Sequence, residues 1–535
     1  MSKIALVQAN FTVGALAENS NKLLNSYKDC ADKSDLVIYP ELGILGYPPE
    51  DLLFSKNFIA QAIAKQEDIV KATLSQKAAI LFGGIEEENG ELYNVAIYAS
   101  DGKTQQIIRK NSLPNYGVFD EKRFFAAAKE HQVIELNNLK YLVLVCEDLW
   151  QEDLMQKING LDFQAVLVLN ASPYTQGKLS KRIDLAKQFG VPVYYNNLVG
   201  GQDSLVFDGN SFVLDGKGKL VKLLAGFKED VCVVEDLSGE VFLPEQLEEN
   251  YQALMLGLKD YLHKNGAKSV ILGLSGGADS ALVAAIACDA LGADKVNLVT
   301  MPSRFTSKES FSDADALIAN LECVNFQEIE IEGMKDSFLT ALEPSFAEKQ
   351  EDLTEENLQA RIRGVLLMAL SNKFGHMVLA TSNKSEAAMG YATLYGDMCG
   401  AYGLIKDVYK TEVYKLIEWR NKNVPSLSLN PVSNPIPENI IHKAPTAELR
   451  DDQKDSDSLP EYEVLDKIIY GLIEERKSVA ELVVLGFAKD DVEKANRLLR
   501  ISEYKRYQAA PGPKISELSF DKERRIPLTN YFENA

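Results

Sequence analysis

Strand-length apolar runs recur along this chain in two different rhythms, and the break between them constrains the fold more than any other feature. Up to about residue 240 the runs IALVQANF, DLVIYPEL, AAILFGGI, LYNVAIYA, KYLVLVCEDL, AVLVLNAS and VPVYYNN succeed one another, with helical stretches such as 57–77 and 176–189 between them. Each run is of strand length and rich in Val, Ile, Leu or Tyr. Many strands with interspersed helices predict stacked sheets covered by helices. Around 236–248 (DLSGEVFLPEQLE) a polar stretch containing Gly and Pro interrupts the pattern, and a helical stretch follows from about 249 to 265. The second rhythm then begins: strand SVILGL, helix DSALVAAIACDAL, strand KVNLVTM, a helix from near Ser307, the long helix NLQARIRGVLLMALSNKFG and strand HMVLAT. This βαβα alternation predicts a parallel, doubly wound sheet. The expected organisation is a domain over 1–240, a connector over 241–258 and a second domain over 259–535. Residues 431–460, rich in Pro, Asp and Ser, read as a long mobile loop.

Composition narrows the functional classes. A chain of 535 residues suits two or three domains. Its formal net charge of -21 repels phosphate backbones and argues against nucleic-acid binding, while leaving room for a small anion in a local basic pocket. The six cysteines (Cys30, Cys146, Cys232, Cys288, Cys323, Cys399) form no CxxC pair, which fits a reducing compartment rather than a disulfide framework. No pair among the four histidines has metal-ligand spacing, so zinc hydrolase chemistry is not expected. The opening MSKIALVQAN reads as a strand rather than a signal peptide, and no apolar run approaches the roughly 20 residues needed to cross a bilayer. A cytoplasmic protein without membrane partners is expected.

Three ionisable residues each stand near the end of an apolar strand. Glu41 follows DLVIYP, Lys110 follows TQQIIR and Cys146 follows KYLVLV. Strand ends project side chains from a rigid base into loop-lined clefts. A cysteine attacks an amide carbon as thiolate, so it needs a base and a positive neighbour. Glu41 would take the thiol proton and return it to leaving ammonia, and Lys110 would stabilise thiolate and oxyanion. Taken singly, such a cysteine is a buried small hydrophobe and such a Glu or Lys a solvated strand-end charge. The surrounding segments YPELGILGY, RKNSLPNYGVFDEKRFF and VCEDLW change that balance. In the same order, they resemble the signatures of the nitrilase, or carbon–nitrogen hydrolase, family over roughly the first 235 residues. The resemblance implies an αββα sandwich with Glu41, Lys110 and Cys146 as its triad and Glu121 assisting the lysine. In the glutaminase branch it implies Tyr116, Ser172 and Lys178 as glutamine contacts; otherwise they read as a loop tyrosine, a turn serine and a surface lysine.

The second half carries LSGGADS at 274–280, directly between strand SVILG and a helix. Glycines permit a tight turn and close phosphate approach to backbone N–H groups, and the helix N-terminus favours the anion. Ser275 and Ser280 offer hydroxyls, and Asp279 can face a magnesium ion. The lysine of a GxxxxGK[ST] loop is absent. Gly-Gly turns and Ser caps are common in βα turns, but three polar segments occupy strand ends here: SGGADS, PSRFTS and TSNKSE. All three should line one crevice outside the carboxyl ends of the strands. The SGG-x-DS form resembles the pyrophosphate loop of the N-type ATP pyrophosphatases, whose domain is of the adenine nucleotide alpha hydrolase-like kind. That implies ATP contacts at Gly273, Leu274, Ser275, Gly276, Gly277, Ala278, Asp279 and Ser280, to which the resemblance of the TSNKSE segment to the NAD synthetase branch adds Thr381.

The segments TSNKSEAAMGYATLYGDMCGAYGLIKDVYKTEVY, PTAELRDDQKDSDSLPEYEVLD and KRYQAAPGPKIS resemble the NAD synthetase branch over most of residues 250–515. By that resemblance Glu386 is a magnesium ligand or a neighbour of the dinucleotide, and Asn357 and Lys505 are deamido-NAD contacts. Lys406 and Lys410 read equally as phosphate-facing and as solvated helix-end cations. His376 reads as a strand-start residue with no catalytic part. The acidic run DDQKDSDS reads as a solvated loop, or by resemblance as a lid over the adenylate. Together the halves resemble the glutamine-dependent NAD synthetase family. That implies glutamine, ATP and deamido-NAD as substrates, Mg2+ as cofactor, passage of ammonia within the molecule, and a homo-oligomer paired through its second half. The rivals are a related amidotransferase for another acid, against which TSNKSE and YGD speak, and an ammonia-only synthetase with an inactive nitrilase-like module.

Overall fold

The strand Ile4–Gln8 is buried on both faces, which explains why IALVQ is apolar at successive rather than alternate positions. In the computed structural model, which describes residues 2–347, 349–450, 453, 459–530 and 532, this strand lies inside a sheet with a layer on each side. Contacts divide the chain into units Met1–Pro244 and Glu245–Ala535.

Among the described residues the first unit has two six-stranded sheets. One runs in the order Asp230–Val234, Ile4–Gln8, Leu36–Ile38, Ala79–Glu88, Glu91–Ser100, Lys103–Arg109. The other runs Leu220–Leu223, Phe212–Leu214, Val193–Asn197, Ala165–Asn170, Leu139–Val145, Gln132–Leu136. Ile4, Leu6, Ile38 and Leu81 of the first sheet meet Val143, Val145, Leu167 and Leu169 of the second in one core. The alternate residues face outward: Ala5, Val7 and Val37 pack with Leu23, Tyr27, Ala62 and Ile69 of helices Leu16–Ala31 and Lys56–Ala72. On the other side Leu142, Leu144 and Val166 pack with Leu179 and Ile183 of helix Lys178–Ala186. This is the expected αββα sandwich.

In the second unit a five-stranded sheet runs Phe326–Glu328, Val296–Thr300, Val270–Gly273, Met377–Ala380, Tyr402–Gly403, and every recorded pairing is parallel. Strand order reverses between Val270–Gly273 and Met377–Ala380, so this doubly wound sheet has its switch point there. The helix Ala278–Leu291 is predominantly apolar and buried along most of its length, as a helix packed between sheet and other helices must be. Helices Tyr462–Ile473, Val479–Val484 and Lys489–Ile501 enclose a further core around Leu465, Ile469, Leu482 and Val492, into which Ala388 and Met389 of helix Lys384–Met389 insert.

Two stretches differ in detail from the sequence reading. Residues 241–258, read as a connector running into a helix from about 249 to 265, are helical already from Gln246: Gln246–Lys264 is one helix whose Tyr251, Leu254 and Leu258 are buried in the second unit. Residues 431–460 include the short helix Glu438–His442. Of the acidic run DDQKDSDS, positions 451, 452 and 454–458 lie outside the described residues.

Gly83 links fold to site. A methyl at Gly83 would meet Leu42 N at 2.3 Å and Pro40 O at 2.6 Å, so only glycine lets the segment around Glu41 cross this strand. Gly83→Ala is expected to destabilise the first unit by about 1–3 kcal/mol, read by chemical denaturation. An unchanged midpoint would mean that the 40–42 backbone yields freely.

Candidate active sites

The strands Leu36–Ile38, Lys103–Arg109 and Leu139–Val145 end just before Glu41, Lys110 and Cys146. The Lys110 ammonium, fully buried, donates to Glu41 Oε1 at 2.6 Å and to both Glu121 oxygens at 2.9 Å. Asn94 Nδ2 donates to Glu41 Oε1 at 2.8 Å, the Ala171 N–H to Oε2 at 3.1 Å, and the Tyr47 hydroxyl to Glu121 Oε1 at 2.8 Å. Burial works against the Lys110 charge, but the Glu121 and Glu41 carboxylates outweigh it and hold its pKa well above that of a free lysine. Glu121 is pushed up to about 7, chiefly by burial, with Lys110 opposing. The Cys146 thiol is pushed well up by burial and then by Glu41, with Lys110 only partly offsetting them. The cysteine therefore rests as a thiol.

Cys146 has a φ of 45°, in the left-handed region that a side chain rarely adopts, at the switch from strand to the turn Cys146–Trp150. Asp148 holds that turn. Its Oδ2 accepts the Val145 N–H at 3.0 Å, and its Oδ1 accepts the N–H groups of Asn111 and Ser112 at 3.1 and 2.8 Å. One buried carboxylate thus fastens the cysteine turn to the residues after Lys110. Sequence reasoning missed it, although the CED triplet was in view.

The three expected glutamine contacts have different settings. The Tyr116 hydroxyl donates to Glu147 Oε2 at 3.0 Å, while the tyrosine itself is largely exposed. The Lys178 ammonium lies 5.6 Å from the Trp150 ring centroid, and its charge is felt by Glu147, whose pKa is raised by burial despite Tyr116, Lys110 and Lys178. Ser172 is buried: its N–H donates to Asn197 Oδ1 at 3.0 Å, and Arg182 donates to its Oγ at 3.3 Å and its carbonyl at 2.7 Å. Arg182 is itself fixed by two bonds to Asp208 at 2.9 and 2.8 Å.

In the second unit a cavity of about 300 Å³ opens at the switch point. Its lining includes Gly273, Leu274, Ser275, Gly277, Ala278, Asp279 and Ser280 of the first strand end, Met301 and Thr306 of the second, and Thr381 and Glu386 of the third. The three polar segments do share one crevice. The loop is braced from within: Ser275 and Ser280 hydroxyls lie 3.0 Å apart, and the Ser280 hydroxyl donates to the Gly277 carbonyl at 3.1 Å. Gly276 has a φ of 75°, and a methyl there would meet the Ser310 carbonyl at 2.4 Å.

Asp279 accepts from Asn383 Nδ2 at 3.0 Å and pairs with Lys410, whose Nζ lies 4.0 Å from Glu386 Oε1. Asn383 and Glu386 close a reciprocal cap on helix Lys384–Met389. Lys410 is thus not a solvated cation. Burial opposes its charge, but Asp279 and Glu386 hold its pKa above the usual lysine range. Asn357 and Lys505 stand apart from this lining. Asn357 Oδ1 accepts from Thr393 at 2.7 Å, and Lys505 donates to the Gly390 and Ala392 carbonyls at 2.7 Å. Lys505 borders a smaller cavity with Lys406, which donates to the Ala510 carbonyl at 2.7 Å. Sequence reasoning missed Arg363, Asp397 and Glu448 in the main lining, of which Asp397 stood in the YGD segment.

The comparisons agree with both halves. Residues 3–237 match the carbon-nitrogen hydrolase family and residues 250–509 the NAD synthase family. The chain is 44% identical to the glutamine-dependent NAD(+) synthetase of Acinetobacter baylyi, covering 99% of this chain and 98% of that protein. It is 41% identical to that of Thermotoga maritima, covering 99% of each. The solved glutamine-dependent NAD+ synthetase of Acinetobacter baumannii in complex with adenosine diphosphate is 41% identical, with a TM-score of 0.78 over 99% of this chain and 98% of that one. The chain belongs to the glutamine-dependent NAD(+) synthetase family.

Proposed function

We propose that the residues described above divide between them the reaction of this ligase family, in which glutamine is hydrolysed to ammonia and ATP drives amidation of deamido-NAD to NAD. The observation that carries the assignment is a buried carboxylate–ammonium–carboxylate cluster around a cysteine in one unit and a pyrophosphate-type loop at a sheet switch point in the other. In the first unit, Glu41 accepts the Cys146 proton as sulfur attacks the amide carbon of glutamine. Lys110 faces the oxyanion, and Glu41 returns the proton as ammonia leaves. Water, deprotonated by Glu41, then cleaves the thioester to glutamate. Glu121 and Asp148 position Lys110 and Cys146. Glutamine lies against Tyr116, Ser172 and Lys178, with its α-ammonium facing Glu147 and its α-carboxylate facing Lys178.

In the second unit the loop from Gly273 to Ser280 and Thr381 hold ATP. Asn357, Glu386 and Lys505 hold deamido-NAD. Asp279 and Glu386 fit a magnesium ion: both are hard oxygen donors, and the Lys410 ammonium paired with them is consistent with a place that takes positive charge. That ion would neutralise the departing pyrophosphate. We place the enzyme in the cytoplasm; among the described residues no helix is long and apolar enough to cross a membrane. We place a second copy against helix Leu353–Phe374, which leaves Val365 and Phe374 65% and 63% exposed.

Cys146→Ala, given ATP, magnesium and deamido-NAD, is expected to lose NAD formation from glutamine by more than about a hundredfold and to keep it with ammonium. Retained use of glutamine would remove the triad assignment and favour the inactive-module alternative. Glu147→Gln is expected to raise the KM for glutamine about tenfold or more while the ammonium-driven rate holds; an unchanged KM would remove Glu147 from the substrate contacts.

Glu121 makes stability depend on pH. Its folded pKa of about 7 lies above the unfolded value of about 4.3, so its contribution favours folding at low pH and is lost as pH rises through about 7. Denaturation at pH 5 and pH 8 should show a smaller difference in Glu121→Gln than in the wild type. An equal difference would contradict the environment described for this carboxyl. For the oligomer, light scattering of Val365→Arg is expected to report a smaller species than the wild type; equal masses would move the interface elsewhere.

A further inference from the structure

Among the described residues the cations lining the main cavity of the second unit are Arg363, Lys410 and Lys443. Two of them are matched to carboxylates. Lys410 pairs with Asp279, and Lys443 contacts the Ser310 hydroxyl and lies 3.7 Å from Glu448. Arg363 differs. Its Nε donates to the Met301 carbonyl at 2.9 Å, and among the described residues no carboxylate oxygen lies within 4.0 Å and neither Nη has a hydrogen-bond partner. Arg363 is half-buried on the cavity wall, and a guanidinium that gives up part of its hydration without gaining a counter-charge is disfavoured. Burial accordingly pulls its pKa down to about 10, with Glu448 and Asp397 only partly offsetting the effect, so it stays charged at neutral pH. In a chain with 78 acidic residues, an arginine left unpaired on a cavity wall is a site for an anion that arrives from outside.

Arg363 is rigidly placed. It lies on helix Leu353–Phe374, and the next residue, Gly364, is pressed so close to the 395–396 backbone that a methyl would meet the carbonyls of Tyr395 and Gly396 at 2.9 and 3.0 Å. One turn on, Leu367 packs over Gly273, where a methyl would meet its Cδ1 at 3.6 Å. The guanidinium is therefore fixed at the end of strand Val296–Thr300, next to the strand that carries the Ser275–Ser280 loop. The loop amides and hydroxyls serve the pyrophosphate end of the nucleotide, and Lys410 is already balanced. The phosphoryl group that becomes part of the adenylate is left without a cation of its own.

We propose that Arg363 binds the α-phosphoryl group of ATP and holds it through adenylation, an inference that rests on reading this cavity as the ATP site. In that step an oxygen of the nicotinate carboxylate forms a bond to the α-phosphorus. The bond from that phosphorus to the bridging oxygen breaks, and pyrophosphate leaves with the electron pair. Two anions must approach each other for this, and the forked guanidinium screens their repulsion and faces the non-bridging oxygens where charge gathers. When ammonia then attacks the acyl carbon, AMP departs with its phosphate still facing Arg363.

Calorimetric titration of the full chain with adenosine, AMP and ADP separates the possibilities. Wild type, Arg363→Met, Arg363→Lys and Ser280→Ala are compared. Arg363→Met is expected to weaken AMP and ADP alike by about tenfold or more and leave adenosine unchanged, with partial recovery in Arg363→Lys. Ser280→Ala is expected to weaken ADP and leave AMP unchanged. Undiminished AMP binding in Arg363→Met, while Ser280→Ala still weakens ADP, would overturn the role of Arg363 and keep the cavity as the ATP site. Equal loss of adenosine in Arg363→Met would show a structural role and also overturn it. ADP binding untouched by either substitution would overturn the reading of the cavity itself.

Discussion

A lysine ammonium with no access to water holds the first unit's site together. Lys110 is stable there only because Glu41 and Glu121 both touch it, and each carboxylate is in turn held by a neutral donor, Asn94 or Tyr47. Removing one partner of such a buried set typically costs about 3–5 kcal/mol, because the remaining charge is left uncompensated. The same cluster sets the reactivity. Burial keeps Cys146 a thiol at rest, and the proposed mechanism makes Glu41, already in place, its proton acceptor. Under the proposed mechanism structure and chemistry are one constraint here: the charge that must be neutralised for the unit to fold is the charge assigned to the oxyanion.

The second unit solves a different problem with the same physics. It must receive anions, so it cannot neutralise every cation beforehand. The loop at the switch point presents backbone and hydroxyl groups that are braced among themselves, and Lys410 is kept beside Asp279 and Glu386. The parallel sheet matters because it brings three strand ends, spread over more than a hundred positions of sequence, to one rim. The Gly276 conformation and its contact with Ser310 show how tightly the rim is built.

Much of this was legible in the chain. Apolar runs ending in a charged or thiol residue mark strand ends, so Glu41, Lys110 and Cys146 stood out, and Gly-Gly turns between strand and helix marked the loop. Hydrogen bonds that join distant segments left no local trace. Asp148 reaches residues 36 and 37 positions away, and Lys410 is buried by Asp279 131 positions away, so a helix-end lysine looked as much solvated as functional. Arg363 sits among apolar helix residues and resembles a surface arginine until the helix is packed. The stretch 241–258 was legible in part: the helix from about 249 was in view, but its start at Gln246 was masked by the polar, Pro-containing segment before it.

The central claim is that one chain takes nitrogen from a glutamine amide at Cys146 and delivers it to a carboxylate activated in the second unit. Isotope transfer tests this most directly. The protein is given ATP, magnesium, deamido-NAD and glutamine carrying 15N in either the amide or the α-amino group, and the NAD formed is analysed by mass spectrometry. The account predicts label in the NAD carboxamide from amide-labelled glutamine and none from α-labelled glutamine, with AMP and pyrophosphate formed alongside. NAD without the amide label, or no NAD at all, would contradict it.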